Sequence, residues 1–199
     1  METEESDRLP EAVLAGLRAG EASALEDCYR RFGSRVYRIC RGMLRQPTDA
    51  EDATQEVFLK VLVRAHQFEE RARFSTWLHR LTVNLCLNRI EKERLRVGPS
   101  IELGEGAGGE LVDQALSPLE AAVRGEAGSR ALTLLAQLPP DSRAVLVLRE
   151  LEELTYAEIA QVLSVPVGTV MSRLARAREK VTALVSLPHK KNPTCRSAS

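Results

Sequence analysis

Five side chains near the C-terminal end of the chain carry the clearest potential for chemistry. Thr169, Ser172, Arg173, Arg176 and Lys180 stand in "SVPVGTVMSRLARAREK". At 100° per residue, Val167, Val170, Leu174, Ala177 and Val181 fall on one helix face. Thr169, Ser172, Arg176 and Lys180 fall broadly opposite, with Arg173 and Met171 on the flanks. Hydroxyls and cations at a helix N-terminus suit phosphates and base edges, because that end also carries partial positive charge. A second group, Asp52, Gln55 and Glu56, stands in "DAEDATQEVF". Spacings of three and four place all three on one helix face, an acid and amide surface that either suits basic groups of a partner or simply faces solvent.

These groups need helices to hold them. The chain has 199 residues, 44% of them apolar and only 4% aromatic. Leu, Ala, Arg and Glu dominate, which favours helices over sheets. Residues 97–128, with "VGPS", "LGEGAGGE" and "SPLE", read as a flexible acidic linker between two helical blocks. The expected organisation is an acidic leader at 1–21, a helical domain at 22–96, the linker, a second helical domain at 129–185 and a basic tail at 186–199.

In the first block, Leu25, Tyr29, Phe32, Val36, Ile39, Cys40 and Met43 form the buried face of one helix. Thr48 is the expected cap of a second helix with an acidic first turn. A third runs through "FSTWLHRLTVNLCLNRIEKERLR", with Trp77, Leu81, Leu85 and Asn88 in a row. In the second block, Pro139 and Pro140 stop one helix, and Asp141 or Ser142 starts the next. Thr155 and Glu158 make a capping box. Pro166 precedes the last helix, whose inner stripe packs on Ile159, Ala160 and Leu163. The last two helices together read as a helix-turn-helix.

Net charge is zero, yet it is unevenly spread. Residues 1–30 carry three basic and eight acidic groups, 31–100 fourteen and eight, and 101–130 two and six. A basic block lies between acidic ones, and such asymmetry is a better guide to partners than the total. Cys28, Cys40, Cys86 and Cys195 form no CxxC pair, so neither disulfide nor zinc is expected. Cys28, Cys40 and Cys86 read as small packed residues, Cys195 as a free thiol in the tail. An acidic N-terminus and the lack of a long apolar run exclude a signal peptide and a membrane span. A cytoplasmic protein follows. His66, His79 and His189 are scattered, and no nucleophile set, phosphate loop or metal spacing is present, so no catalytic activity, metal or cofactor is expected.

The segment "LPPDSRAVLVLRELEELTYAEIAQVLSVPVGTVMSRLARAREKV" resembles region 4 of bacterial sigma factors of the extracytoplasmic-function group. "DAEDATQEVFLKVLVRAHQFEERARFSTWLHRLTVNLCLNRI" resembles region 2 of the same group. The resemblance implies an all-α, two-domain initiation factor. Such a factor binds RNA polymerase core, through the clamp helices and flap, and directs it to promoter DNA. It also implies an anti-sigma factor as partner. Asp52, Gln55 and Glu56 match family positions that contact the clamp helices. Phe68, Leu81 and Asn84 match positions that hold a flipped base of the minus-10 element, and Trp77 matches an aromatic near the melting point. Arg71, Arg73, Arg80 and Arg89 would meet phosphates. Thr169, Met171, Ser172, Arg173, Arg176 and Lys180 would face the minus-35 element. Many relatives have Arg or Lys at the place of Met171. An Arg there forks onto guanine, whereas Met offers only apolar contact. The competing reading is a stand-alone helix-turn-helix regulator using 129–185 alone.

Overall fold

The computed structural model describes residues 7–69, 73–97 and 126–186. Within them it is all-helical. The leader expected at 1–21 carries a helix of its own, α1 (Glu11–Ala19), which buries Leu14 and Leu17 and ends at Gly20 in the left-handed region, φ 79°. A glycine is suited to that conformation because a Cβ would crowd the backbone. Its acidic charge hid this packing from a reading based on composition.

α2 (Ala22–Met43) is the spine of the N-terminal domain and buries Cys28, Phe32, Val36, Ile39, Cys40 and Met43. The stripe is rotated from the expected one: Tyr29 is 52% exposed and Cys28 takes the core position. α3 (Pro47–Arg64) begins one residue before the expected cap, with Gln46 at the N-cap and no side-chain cap bond. Pro47 replaces capping here, since its fixed φ suits the first turn and its missing N–H costs nothing there. Thr48 therefore lies inside the helix. A short 3-10 turn (Ala65–Gln67) follows. α4 (Phe74–Val97) closes the domain. Phe74, Ser75, Leu78, His79, Leu81, Thr82, Val83, Leu85 and Cys86 are all buried, so its first half is enclosed almost all round, while Asn88 is exposed. Phe68, Phe74 and Trp77 form an aromatic cluster with centroids 5.4–5.5 Å apart.

Cys28, Cys40 and Cys86 are buried free thiols. Burial pushes the Cys28 thiol up to about 12, and Cys86 Sγ lies 3.8 Å from Cys40 Sγ. Both observations fit small packing residues.

The C-terminal domain comprises α5 (Glu126–Ala136), α6 (Pro140–Glu150), α7 (Tyr156–Leu163) and α8 (Val167–Ser186). α5 reaches back into the expected linker, whose earlier part lies outside the described residues, as do Cys195 and nearly all of the expected tail. α6 starts at Pro140 with Pro139 as N-cap, so the second proline opens a helix instead of stopping one. Thr155 and Glu158 form the expected capping box: Glu158 N–H donates to Thr155 Oγ1 at 3.3 Å and Thr155 N–H to Glu158 Oε2 at 2.9 Å. Ser164 takes a left-handed φ of 55° and turns the chain into α8. α8 packs on α6 and α7 through Val170, Leu174 and Ala177; Val167, expected on the same stripe, is 42% exposed.

The two domains touch. α6 lies against α2, and α7 against α4. Arg143 is the main staple: Nη1 donates to Met43 O at 2.5 Å, and Nη2 to Ala136 O and Leu138 O at 2.8 and 3.1 Å. One guanidinium thus satisfies carbonyls left open at two chain turns. Gly42 makes the close approach possible: a Cβ there would stand 2.8 Å from Val147 Cγ2 and 3.2 Å from Leu151 Cδ1.

Candidate functional site

α3 presents the first surface. Val57, Phe58 and Val61 turn inward, which turns Asp52 and Gln55 outward with Glu56 beside them, part-exposed. All three expected residues therefore share one accessible face. Sequence reasoning missed two more on it. Leu59 and Val63, 60% and 70% exposed, continue that face: Leu59 follows Gln55 by four residues and Glu56 by three, and Val63 follows Leu59 by four. The face is acidic and amide at one end and apolar at the other. Glu56 is held by Lys60 Nζ at 3.2 Å and Arg89 Nη2 at 2.7 Å. The Arg89 hydrogen bond is the leading cause that keeps its carboxyl below the usual range.

The second surface is the edge of the N-terminal domain formed by the turn before α4 and by α4 itself. The expected residues are not presented equally. Asn84 is exposed. Phe68 and Leu81 are 6% and 9% exposed, and Trp77 is half-buried beside Phe68. As packed, Phe68 and Leu81 offer no free face to a base. Arg71 lies outside the described residues. Arg73 Nη1 is 3.7 Å from Asp7 Oδ2 and 3.8 Å from Glu158 Oε1. Arg80 Nη2 donates to the Gln161 carbonyl at 2.6 Å. Arg89 turns away from this edge to Glu56 and to the Asp49 carbonyl at 3.2 Å.

The third surface is α8. Met171 is 53% exposed, and Ser172, Arg176 and Lys180 are exposed as well. Thr169, Arg173, Arg176 and Lys180 line one shallow hollow of about 530 Å³ with Pro139, Asp141 and Ser142. Asp141, from the first turn of α6, pairs with Arg173 Nη2 at 2.5 Å. Ser172 Oγ donates to the Thr169 carbonyl at 3.0 Å. Met171 stands outside the hollow, so the structure separates it from the cations. The hollow carries three cations and one carboxylate, a net positive charge suited to an anion.

No group of three or more His, Cys, Asp or Glu among the described residues could hold a metal ion. No described helix is long and apolar enough to cross a membrane.

Comparison with known proteins accounts for both domains. The sigma-70 region 2 family matches residues 28–96, and the sigma-70 region 4 family matches 129–181. The ECF RNA polymerase sigma factor SigW of Bacillus subtilis is 32% identical over 167 residues, covering 82% of this chain and 89% of SigW. Among solved structures, CnrH in complex with the cytosolic domain of CnrY aligns with TM-score 0.64 at 24% identity, over 92% of this chain and 99% of CnrH. The sigma factor RpoE in complex with the anti-sigma factor NepR from Bartonella quintana aligns with TM-score 0.56 at 20% identity, over 89% and 94% of the two chains.

Proposed function

The chain belongs to the extracytoplasmic-function group of the sigma-70 family, and from that premise we propose how its three surfaces divide the work of a promoter-specific initiation factor that binds RNA polymerase. Such factors are not catalytic; they position the enzyme that is. The α3 face carrying Asp52, Gln55 and Glu56 receives basic groups on the clamp helices of the core. α8 reads the minus-35 element as duplex: Ser172, Arg173 and Arg176 approach base edges, Thr169 and Lys180 meet backbone, and Met171 makes apolar contact only. The edge bearing Asn84, Arg73 and Arg80 holds the opened minus-10 element. There an Asn amide can hydrogen-bond a base edge, and stacking surface comes from the Trp77 side of the aromatic cluster. Phe68 and Leu81 supply the packed floor under that edge. The factor acts in the cytoplasm, and an anti-sigma factor that covers both domains holds it inactive, by analogy with its relatives.

The observation that carries the division is the α3 face. Asp52 and Gln55 are exposed, Glu56 is part-exposed and held by Lys60 and Arg89, and the exposed Leu59 and Val63 stand beside them; the three polar residues resemble the family's polymerase-contacting positions. Titrating purified core with the chain and with Glu56→Arg tests it. Reversing one charge at an interface costs several kcal/mol when it meets like charge, so the expected loss of core affinity is about tenfold or more. Equal affinity would remove α3 from the interface. The stand-alone regulator reading gains nothing from this face, since it makes no use of residues 22–96.

A further inference from the structure

Glu152, in the turn between α6 and α7, is inserted into the N-terminal domain, with only 2% of its side chain exposed. Arg38 Nε donates to Glu152 Oε1 at 2.9 Å, and Arg38 Nη2 lies at the same distance. Arg35 Nε is 3.6 Å from Oε2. His79 Nε2 is 3.7 Å from Oε2, beyond hydrogen-bond reach, and among the described residues neither ring nitrogen of this buried histidine has a hydrogen-bond partner. Arg35 also pairs with Asp7. The pocket is therefore built for an anion, and the carboxylate in it fills it incompletely. Two flat oxygens satisfy one arginine well, a second loosely and the histidine not at all. A tetrahedral group of similar charge extends its oxygens further from its centre. Arginine recognises carboxylate and phosphate by the same planar fork.

Position adds a second argument. The neighbouring Arg80, expected at the opened DNA strand, is occupied by the Gln161 carbonyl, and Arg73 by Asp7 and Glu158. Oxygen acceptors of the C-terminal domain thus lie on successive cations of the N-terminal domain's nucleic-acid edge. We infer that Arg35, Arg38 and His79 form a pocket for a backbone phosphate of promoter DNA, and that Glu152 occupies it as an internal stand-in which the DNA displaces. This rests on the reading that the N-terminal domain holds opened promoter DNA. Arg35 and Arg38 lie on α2, away from the helix expected to read the element. Seating Glu152 keeps the domains together; removing it frees the pocket and Arg80 at once.

The test uses the full chain and a fluorescent mixed-sequence forked DNA, because phosphate contacts do not depend on sequence. Glu152→Gln should bind it more tightly than the wild type, by about tenfold, as the binding-competent fraction rises. Adding Arg38→Gln to Glu152→Gln should cancel most of that gain. It should also flatten the slope of log affinity on log salt by about 0.7–0.9, the share of one phosphate contact. If Arg38→Gln does not fold, Arg35→Gln in the same background reads the same slope. The pocket is overturned if Glu152→Gln binds no more tightly, or if the double variant keeps the gain and the slope. Transcription by the wild-type chain with core, run in parallel, separates the two failures. Promoter-directed transcripts with an unchanged slope sink the pocket alone, and their absence sinks the sigma reading beneath it.

Discussion

Arg89 Nη2 lies 2.7 Å from Glu56 Oε2, so a cation expected at DNA is tied to a carboxylate expected at polymerase. Nε reaches the same oxygen at 3.2 Å, and Nη1 donates to the Asp49 carbonyl. α4 thereby holds the carboxylate of a residue on the proposed polymerase face of α3. Arg89→Gln should weaken core binding two- to fivefold, in line with the ~0.5–1 kcal/mol of a part-exposed pair. It should leave the salt slope of DNA binding unchanged. A titration showing intact core affinity and a flatter slope would return Arg89 to the phosphates.

Gly42 decides how closely the domains approach. Gly42→Val would force a side chain into Val147 and Leu151, whose atoms already stand within 3.2 Å of a bare Cβ. Overpacking of this kind costs ~1–3 kcal/mol, and it falls on the interdomain contact because Gly42 and Val147 are buried against each other there, while Leu151 is exposed. Small-angle scattering of the free chain should show a larger radius of gyration with helix content retained. An unchanged radius would mean that the interface yields without opening.

His79 makes the fold sensitive to acid. Burial is the main cause that lowers its pKa to about 4, with the Arg35 charge next. A group with a depressed folded pKa binds fewer protons folded than unfolded. Its contribution is fully present above the unfolded value near 6.5 and is lost as pH falls from there towards 4, roughly 3 kcal/mol in all. Glu152, raised mainly by its own burial, works in the opposite direction. Melting temperature should therefore drop between pH 6.5 and 4.5, and His79→Leu should flatten or reverse that slope. A wild-type slope that survives in His79→Leu would assign the acid sensitivity elsewhere.

The helix-turn-helix and the α3 face were legible because their signals are local. The Thr155–Glu158 box lies within four residues, and Asp52, Gln55 and Glu56 within five. Boundaries failed where two local signals competed: Pro47 outbid Thr48 at the start of α3, and Pro140 opened a helix that its type alone would stop. Tyr29 failed for another reason. Its spacing fits the buried stripe, but only the packing of α2 on its neighbours chooses between Tyr29 and Cys28. The pocket around Glu152 was illegible because Arg38 and His79 stand 114 and 73 positions away. A single glutamate in "RELEELT" reads as solvated until the fold buries it. The enclosed α4 likewise carries no one-sided pattern that separates base-facing residues from core ones.

In the proposed reading of the upstream element, Met171 is the position at which promoter choice can be moved. It is exposed on α8 and does not line the hollow that holds the cations. Met171→Arg should shift base preference at one upstream position by ~1–3 kcal/mol, the worth of a bidentate arginine–guanine contact. Core affinity should not change. A selection from randomised upstream elements that returns the same profile for both proteins would show that Met171 faces no base.

The central claim is that both domains act together on polymerase to choose a start site. Run-off transcription from a mapped promoter, with purified core and the full chain, measures it most directly. A discrete transcript is expected that requires core and chain together, and that disappears when either the upstream or the downstream element is scrambled. It would be contradicted if no transcript formed while the chain alone bound the duplex promoter tightly.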